Sequence, residues 1–211
     1  EIIDNNKPME RIVRDEDNIY MLYTGGTTGM PKGVMYKHRL FISSLLKTAA
    51  SMGFDVPDDP EKIPEVILNL AKTEQLSKTI VACPLMHGTG MWLGAFVPLF
   101  SGGACVTIPQ LGFDPDLLLK KVAEEKINNI IIVGDAFARP ILDSLNKAKE
   151  QGNPYDLSSL RSIISSAQKL ELSMHDSGAQ SAKVNVAAGQ DRNLTGGVDT
   201  QASVAKLPQE I

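Results

Sequence analysis

Short apolar runs alternate along the chain with longer segments in which apolar residues recur every three or four positions. Apolar runs bounded by turn residues predict buried strands, and the longer spacing predicts helices. The predicted strands cover residues 19–23, 79–83, 104–108, 129–133 and 160–164. The predicted helices cover residues 37–52, 90–100, 115–125 and 136–149. This alternation is typical of an α/β fold with a largely parallel sheet.

Three further segments complete the prediction. In the helix at 37–52 one face carries Leu40, Phe41, Ser44, Leu45 and Thr48. The prolines and acidic residues of 53–65 predict an exposed loop. After Ala167 the sequence becomes small, polar and poor in aromatic residues, so it has little to bury and is predicted to be irregular. We therefore expect a folded part at 1–166 and a divergent or disordered tail at 167–211.

Composition bounds the class of protein. The chain has 211 residues, 43% of them hydrophobic, which suffices for one domain or part of a larger one. A net charge of -4 offers no overall attraction to nucleic acid or an anionic membrane. No apolar run approaches the roughly 20 residues of a membrane span, and the charged N-terminus does not resemble a secretory signal. A cytoplasmic protein is expected, and Glu1 in place of methionine suggests an internal piece of a longer chain.

Cys83 and Cys105 both lie in predicted strands. Two cysteines in apolar segments are expected to be buried thiols, because a metal site would need more ligands at closer spacing and a disulfide is not favoured in the expected compartment.

The turn after the first strand, in the stretch YTGGTTGMPKGV, combines glycines, threonines and one lysine. Glycine allows positive φ and close approach of an anion to the backbone, while threonine hydroxyls and a lysine ammonium add donors. The candidates for holding a polyphosphate are Thr24, Gly25, Gly26, Thr27, Thr28, Gly29 and Lys32. Pro31 before and Gly33 after the lysine exclude the G-x-x-x-x-G-K-[ST] loop, and a simple glycine-rich connector is the alternative.

The same stretch resembles the phosphate-binding signature of the adenylate-forming (AMP-binding) superfamily, usually Y-T-S-G-T-T-G-x-P-K-G, with Gly25 in place of the serine. The superfamily includes acyl-CoA synthetases, luciferases and peptide-synthetase adenylation domains. A second stretch, CPLMHGTGMWLG, resembles the P-x-x-H-x-x-G segment of that superfamily. A third, GDAFARP, resembles a run of bacterial fatty-acyl-CoA synthetases and disfavours the luciferase-like and peptide-synthetase relatives.

The resemblance implies a role for each matched residue. Lys32 and the loop threonines would contact the β- and γ-phosphates of ATP, and Thr24 would contact phosphate or Mg²⁺. His87 would gate the acyl site and steer the substrate carboxylate, so His87 and Lys32 are the catalytic candidates. Gly88, Thr89 and Gly90 would form the wall of the acyl pocket. For Met91 and Trp92, core packing and contact with an acyl chain are both open.

Asp135 and Arg139 of the third stretch are not expected to be catalytic. A strand-to-helix turn commonly uses aspartate as an N-cap, and arginine as a surface or ion-pair residue. Likewise, the adjacent His175, Asp176 and Ser177 cannot form a triad, which needs spatial geometry that three consecutive residues do not supply.

The resemblance covers about residues 15–166, part of the large N-terminal domain of such enzymes. The adenine-binding turn, the Y-G-x-T-E segment and the C-terminal lysine domain are not found in the remaining sequence. We therefore expect a fragment of an acyl-CoA synthetase that uses ATP, Mg²⁺, CoA and a carboxylic acid, with a fatty acid favoured, and that is inactive in isolation. The alternative is a non-catalytic nucleotide-binding or interaction protein. No nucleic-acid partner is expected, and the oligomeric state stays open.

Overall fold

A computed structural model describes residues 4–24, 31–57 and 59–165. Two sequence predictions lie outside these ranges, namely the loop candidates from Gly25 to Gly29 and the tail at 167–211. The chain divides into two compact units, Glu1–Ser43 and Ser44–Ile211, and each is described by itself.

The first unit contains an antiparallel hairpin of β1, Ile19–Thr24, and β2, Lys32–Lys37. In its register Ile19 lies opposite Lys37, and Thr24 lies opposite Lys32. Strand β1 was predicted, whereas β2 was not. In β2 only Val34 and Tyr36 are half-buried and the other positions are exposed, so its sequence carries too short an apolar alternation to show a strand by itself.

Aromatic packing supports this hairpin. The ring of Tyr20 stacks on Phe41 with centroids 4.7 Å apart, and the ring of Tyr36 lies 5.7 Å from the same phenyl group. Tyr20 and Tyr36 are register partners, so both rings lie on one face of the hairpin. A two-stranded hairpin is only marginally stable alone, and Phe41 supplies part of the apolar contact that it needs.

Helix α1, His38–Ser51, follows β2 directly and confirms the helix predicted at 37–52. On the predicted face Phe41, Leu45 and Thr48 are buried, whereas Leu40 is 56% exposed. Adjacent helix positions are about 100° apart, so Leu40 lies beside the buried stripe that contains Phe41.

The second unit is built on a parallel sheet. Its strands are β3, Lys78–Val81; β4, Ala104–Val106; β5, Asn129–Ile132; and β6, Ser162–Ser165. Its helices are α2, Ile63–Lys72; α3, Val97–Phe100; α4, Pro115–Glu125; and α5, Asp135–Glu150. The strand order is β4-β3-β5-β6, and every neighbouring pair in it is parallel. The predicted α/β fold with a largely parallel sheet is thus confirmed.

One face of this sheet packs on α4 and α5. The shared core contains Ile80, Ile130 and Ile132 from the strands, together with Leu118, Leu119, Val122, Ala138 and Ile141 from the helices. Local signals fix the bounds of α4. The Asp114 carboxylate accepts from the Leu117 N–H at 3.0 Å, and Lys126 ends the helix in the left-handed conformation with φ 54°.

The other face carries a helical segment whose first part, Gly90–Phe96, is a π-helix that continues into α3. It packs closely on β3, because a Cβ placed on Gly94 would lie 2.6 Å from Cγ2 of Val81. The helix predicted at 90–100 is confirmed in extent. Its π geometry was not predicted, since apolar spacing alone does not separate the two forms.

The predicted loop at 53–65 is partly wrong. Pro60–Lys62 forms a 3-10 turn, and α2 begins at Ile63. Pro64, one of the prolines that predicted a loop, lies in the first turn of α2. A proline is tolerated there because the N–H groups of the first helical turn have no hydrogen-bond partner within the helix. Ile67 of this helix packs on Gly102, where a Cβ would lie 2.5 Å from Ile67 Cγ2.

Candidate functional site

The hairpin brings the two ends of the candidate phosphate loop together. Thr24 ends β1, Lys32 begins β2, and the two are register partners. Directly opposed residues of an antiparallel pair lie about 5 Å apart, so the chain leaves and re-enters the hairpin at one end. Lys32 is exposed at that end. Gly25, Gly26, Thr27, Thr28 and Gly29 fall outside the described residues, so their contact with phosphate stays a prediction.

His87 lies in a tight turn between β3 and the π-helical segment. Its backbone N–H donates to the Pro84 carbonyl at 3.0 Å, and its own carbonyl accepts from the Met91 N–H at 3.0 Å. The ring is also tethered, because the Thr89 N–H donates to Nδ1 of His87 at 3.2 Å. His87 is an exposed residue, whereas Thr89 is buried, so a ligand can approach the His87 side chain.

Gly90 is required by the geometry of this turn. A Cβ on Gly90 would lie 2.4 Å from the Pro84 carbonyl oxygen, a distance that real Cβ atoms do not adopt. That same oxygen accepts the hydrogen bond from the His87 backbone. A side chain at position 90 would therefore displace the turn that positions His87. Met91 and Trp92, the two residues after Gly90, are half-buried.

A cavity of about 430 Å³ opens at the carboxyl ends of β3 and β4. These neighbouring strands lead to helices on opposite faces of the sheet, an arrangement that commonly creates a ligand crevice. The lining is mainly apolar and comprises Val81, Ala82, Cys83, Pro84, Leu85, Thr107, Ile108, Gln110, Gly112, Phe113, Asp114, Leu118 and Phe137. His87, although described, is not among these residues. No pattern in the sequence indicates this cavity, because its walls come from segments that are distant in sequence.

Both cysteines are free thiols. Cys83 is 5% exposed, which confirms the predicted buried thiol, whereas Cys105 is only half-buried. Burial raises the pKa of Cys83 from 9.0 to about 11, and raises the pKa of Cys105 in the same direction. Neither thiol is therefore an activated nucleophile, since that role requires a lowered pKa.

We expect iodoacetamide to alkylate Cys83 slowly in the folded chain at pH 8, because the thiolate is the reacting form. Its rate should rise about tenfold per pH unit below the raised pKa. Mass spectrometry of the modified peptides measures the alkylation rates of both cysteines in one experiment. In the folded chain Cys105 should be alkylated faster than Cys83. In urea, where the chain is unfolded, the two cysteines should be alkylated at the same rate. Equal rates at Cys83 and Cys105 in the folded chain would contradict this environment.

The turn before α5 differs from its prediction. Its N-cap is Gly134, with φ 65° and ψ -169°, and no side chain caps the helix. The expected N-cap role of Asp135 is therefore wrong, since only glycine adopts this backbone conformation readily. The expected ion-pair role of Arg139 is confirmed, because its guanidinium lies 3.2 Å from the Asp135 carboxylate.

The described part of the chain contains neither a cluster of metal-ligating side chains nor a membrane-spanning helix. Residues 4–24, 31–57 and 59–165 contain no group of three or more His, Cys, Asp or Glu side chains that could hold a metal ion. Within those ranges, no helix has the length and apolar character that crossing a membrane requires. A role of Thr24 toward Mg²⁺ consequently rests on the resemblance of its motif.

Comparison with known proteins identifies the class. Residues 2–183 match the AMP-binding enzyme family. This match is longer than the resemblance over about residues 15–166 that the sequence motifs indicated. The chain is 37% identical over 167 residues to a medium/long-chain-fatty-acid–CoA/3-oxocholest-4-en-26-oate–CoA ligase of Mycolicibacterium smegmatis. It is 36% identical to a 3-oxocholest-4-en-26-oate–CoA ligase of Rhodococcus rhodochrous. Each match covers 77% of this chain and 28% of the ligase. The chain belongs to the AMP-binding enzyme family.

Solved structures agree with this assignment. An ATP-bound RpMatB–BxBclM chimera is 27% identical, with a TM-score of 0.55, and the match covers 77% of this chain and 27% of the chimera. The N-terminal domain of FACL13 from Mycobacterium tuberculosis is 20% identical, with a TM-score of 0.56, over 80% of this chain and 36% of that one. The second similarity concerns the fold alone. The predicted recognition of an adenylate-forming, acyl-CoA synthetase-like chain is confirmed.

Proposed function

We propose that this chain supplies the phosphate-binding turn and the carboxylate-steering histidine of an ATP-dependent acyl-CoA synthetase. The observation that carries the proposal is the hairpin register, which sets Lys32 opposite Thr24 at the two ends of the signature loop. Family membership and the two ligases support the reaction class. Their names favour medium- or long-chain fatty acids, or a steroid side-chain acid, as the substrate.

The proposed reaction has two steps. A carboxylate attacks the α-phosphorus of ATP, forming an acyl-adenylate and releasing pyrophosphate. The thiol of CoA, losing its proton, then attacks the acyl carbon and releases AMP. Charge neutralisation and positioning dominate the first step, because two anions must approach each other. Mg²⁺, when bound with ATP, would supply additional neutralisation at the phosphates.

Within this scheme Lys32 provides a mobile cation for the leaving pyrophosphate, and the loop hydroxyls and N–H groups provide further donors. His87 contacts the incoming carboxylate, with Gly88, Thr89 and Gly90 beside it. The tethered ring supports the positioning role, since its location is fixed by two backbone hydrogen bonds and one to Nδ1.

Replacing Lys32 with alanine should weaken binding of magnesium pyrophosphate by about 1.5–3 kcal/mol, the usual contribution of a charge-assisted hydrogen bond. The affinity of the unmodified chain should also fall with added salt, because charge provides much of the binding. Isothermal titration calorimetry of folded protein, checked by circular dichroism, measures both effects.

Two variants serve as matched controls. Lys37→Ala removes the same charge from the opposite end of β2, and Lys147→Ala removes it from the exposed side of α5. Both should bind magnesium pyrophosphate as the unmodified chain does. Equal affinity of the unmodified chain and all three variants would show that the turn is only a connector.

A further inference from the structure

The side chain of His87 is tethered by a backbone group two residues ahead of it. The Thr89 N–H donates to Nδ1 at 3.2 Å, and Thr89 directly precedes the helical segment that begins at Gly90. A local hydrogen bond of this kind between a side chain and a neighbouring backbone N–H fixes the position of the side chain. The imidazole of His87 therefore uses its proximal nitrogen for the fold and leaves its distal nitrogen for a ligand.

This tether selects one protonation form of the ring. A nitrogen that accepts a hydrogen bond carries no proton, and a neutral imidazole has a single N–H. The proton must then be on Nε2. The imidazolium form has a proton on both nitrogens and would lose the bond from Thr89.

We propose that the Thr89 backbone holds His87 as the neutral Nε2–H tautomer, so that the ring acts as a fixed hydrogen-bond donor to an oxygen of the substrate carboxylate and not as a proton acceptor. The identity of the acceptor rests on the proposed function, whereas the tautomer rests on the tether alone. Thr89 is thus a positioning residue through its main chain.

The chemistry of the substrate agrees with this role. A carboxylic acid has a pKa near 4 and is already ionised at neutral pH, so a general base has no proton to remove before the attack on phosphorus. A positioned donor, in contrast, orients the carboxylate for in-line attack. His87 is exposed, so a ligand can approach its side chain.

Nitrogen-15 NMR of the histidine-labelled chain at pH 8 tests the tautomer directly. We expect His87 to show only the Nε2–H form, whereas untethered histidine is a mixture of both tautomers. The His87 signals are assigned by their loss in the His87→Asn variant, with His38 and His175 remaining. An Nδ1–H form, or a tautomer mixture at His87, would overturn the proposal.

Two substitutions separate the roles of the two nitrogens. Asparagine can present its oxygen near the position of Nδ1, whereas glutamine reaches the position of Nε2 with an N–H. His87→Asn should leave the unfolding equilibrium unchanged, and His87→Gln should raise the unfolded-to-folded ratio by about fivefold, as expected for the loss of one hydrogen bond to a buried N–H. An equal effect of both variants in urea titrations would contradict the tether.

Titration with sodium octanoate in the presence of magnesium ATP tests the donor. Binding should survive in His87→Gln and be lost in His87→Asn. Loss in both variants would overturn the donor role. If the unmodified chain binds no octanoate while NMR shows the Nε2–H form, the proposed function and the donor role fail, and the tether stands.

Discussion

Replacing Ile130 with alanine will lower the free energy of unfolding by about 2–5 kcal/mol, the range for truncating a fully buried aliphatic side chain. Ile130 is 0% exposed in the central strand β5. Its register partners are Ile80 in β3 and Ile163 in β6, and it belongs to the core that packs on α4 and α5. Because side chains of β3, β6, α4 and α5 surround Ile130, the structure cannot collapse into the space that the lost atoms leave.

Urea unfolding monitored by circular dichroism measures this change as a lower midpoint at an unchanged slope. Leu111→Ala is the matched control, because Leu111 is 108% exposed and buries almost nothing. It should change the unfolding free energy by less than about 0.5 kcal/mol. A loss below about 1 kcal/mol for Ile130→Ala would show that the sheet is not packed as described.

Replacing Asn129 with alanine should cost about 3 kcal/mol or more, although it removes no apolar surface. Asn129 is 3% exposed and connects three strand segments through its amide. Its Nδ2 donates to Ser77 Oγ at 2.9 Å and to Thr79 Oγ1 at 3.3 Å. Its Oδ1 accepts from Ser162 Oγ at 2.6 Å. The alanine variant loses these bonds and leaves buried hydroxyls that must find other partners.

The exposed Asn153, which follows α5, provides the control for this loss. Asn153→Ala should be within about 0.5 kcal/mol of the unmodified chain in the same urea titration. If Asn129→Ala matched that control, the amide network would be dispensable for stability. A large loss for Asn129→Ala alone would confirm that buried polar groups, and not only the apolar core, hold the parallel strands in register.

Local signals account for the parts of the fold that sequence analysis predicted. The bounds of α4 follow from Asp114 and Pro115 at one end and Lys126 at the other, all within one helical turn of the ends. Strand β5 is apolar throughout and reads as buried without further information. By contrast, β2 has a weak local signal and depends on its pairing with β1. Helix α2 does carry helical apolar spacing, at Ile63, Val66, Ile67 and Leu70, beside prolines that also occur in loops.

The sequence by itself determined the family and named the candidate residues of the proposed phosphate-binding turn, because these candidates are consecutive or nearly consecutive in the chain. Thr24 and Lys32 could therefore be named before their register was known. The tertiary structure decided the network of Asn129, the tether on His87 and the cavity at the ends of β3 and β4. Each of these depends on the distance and direction between particular atoms, which apolar spacing and motif matches do not specify.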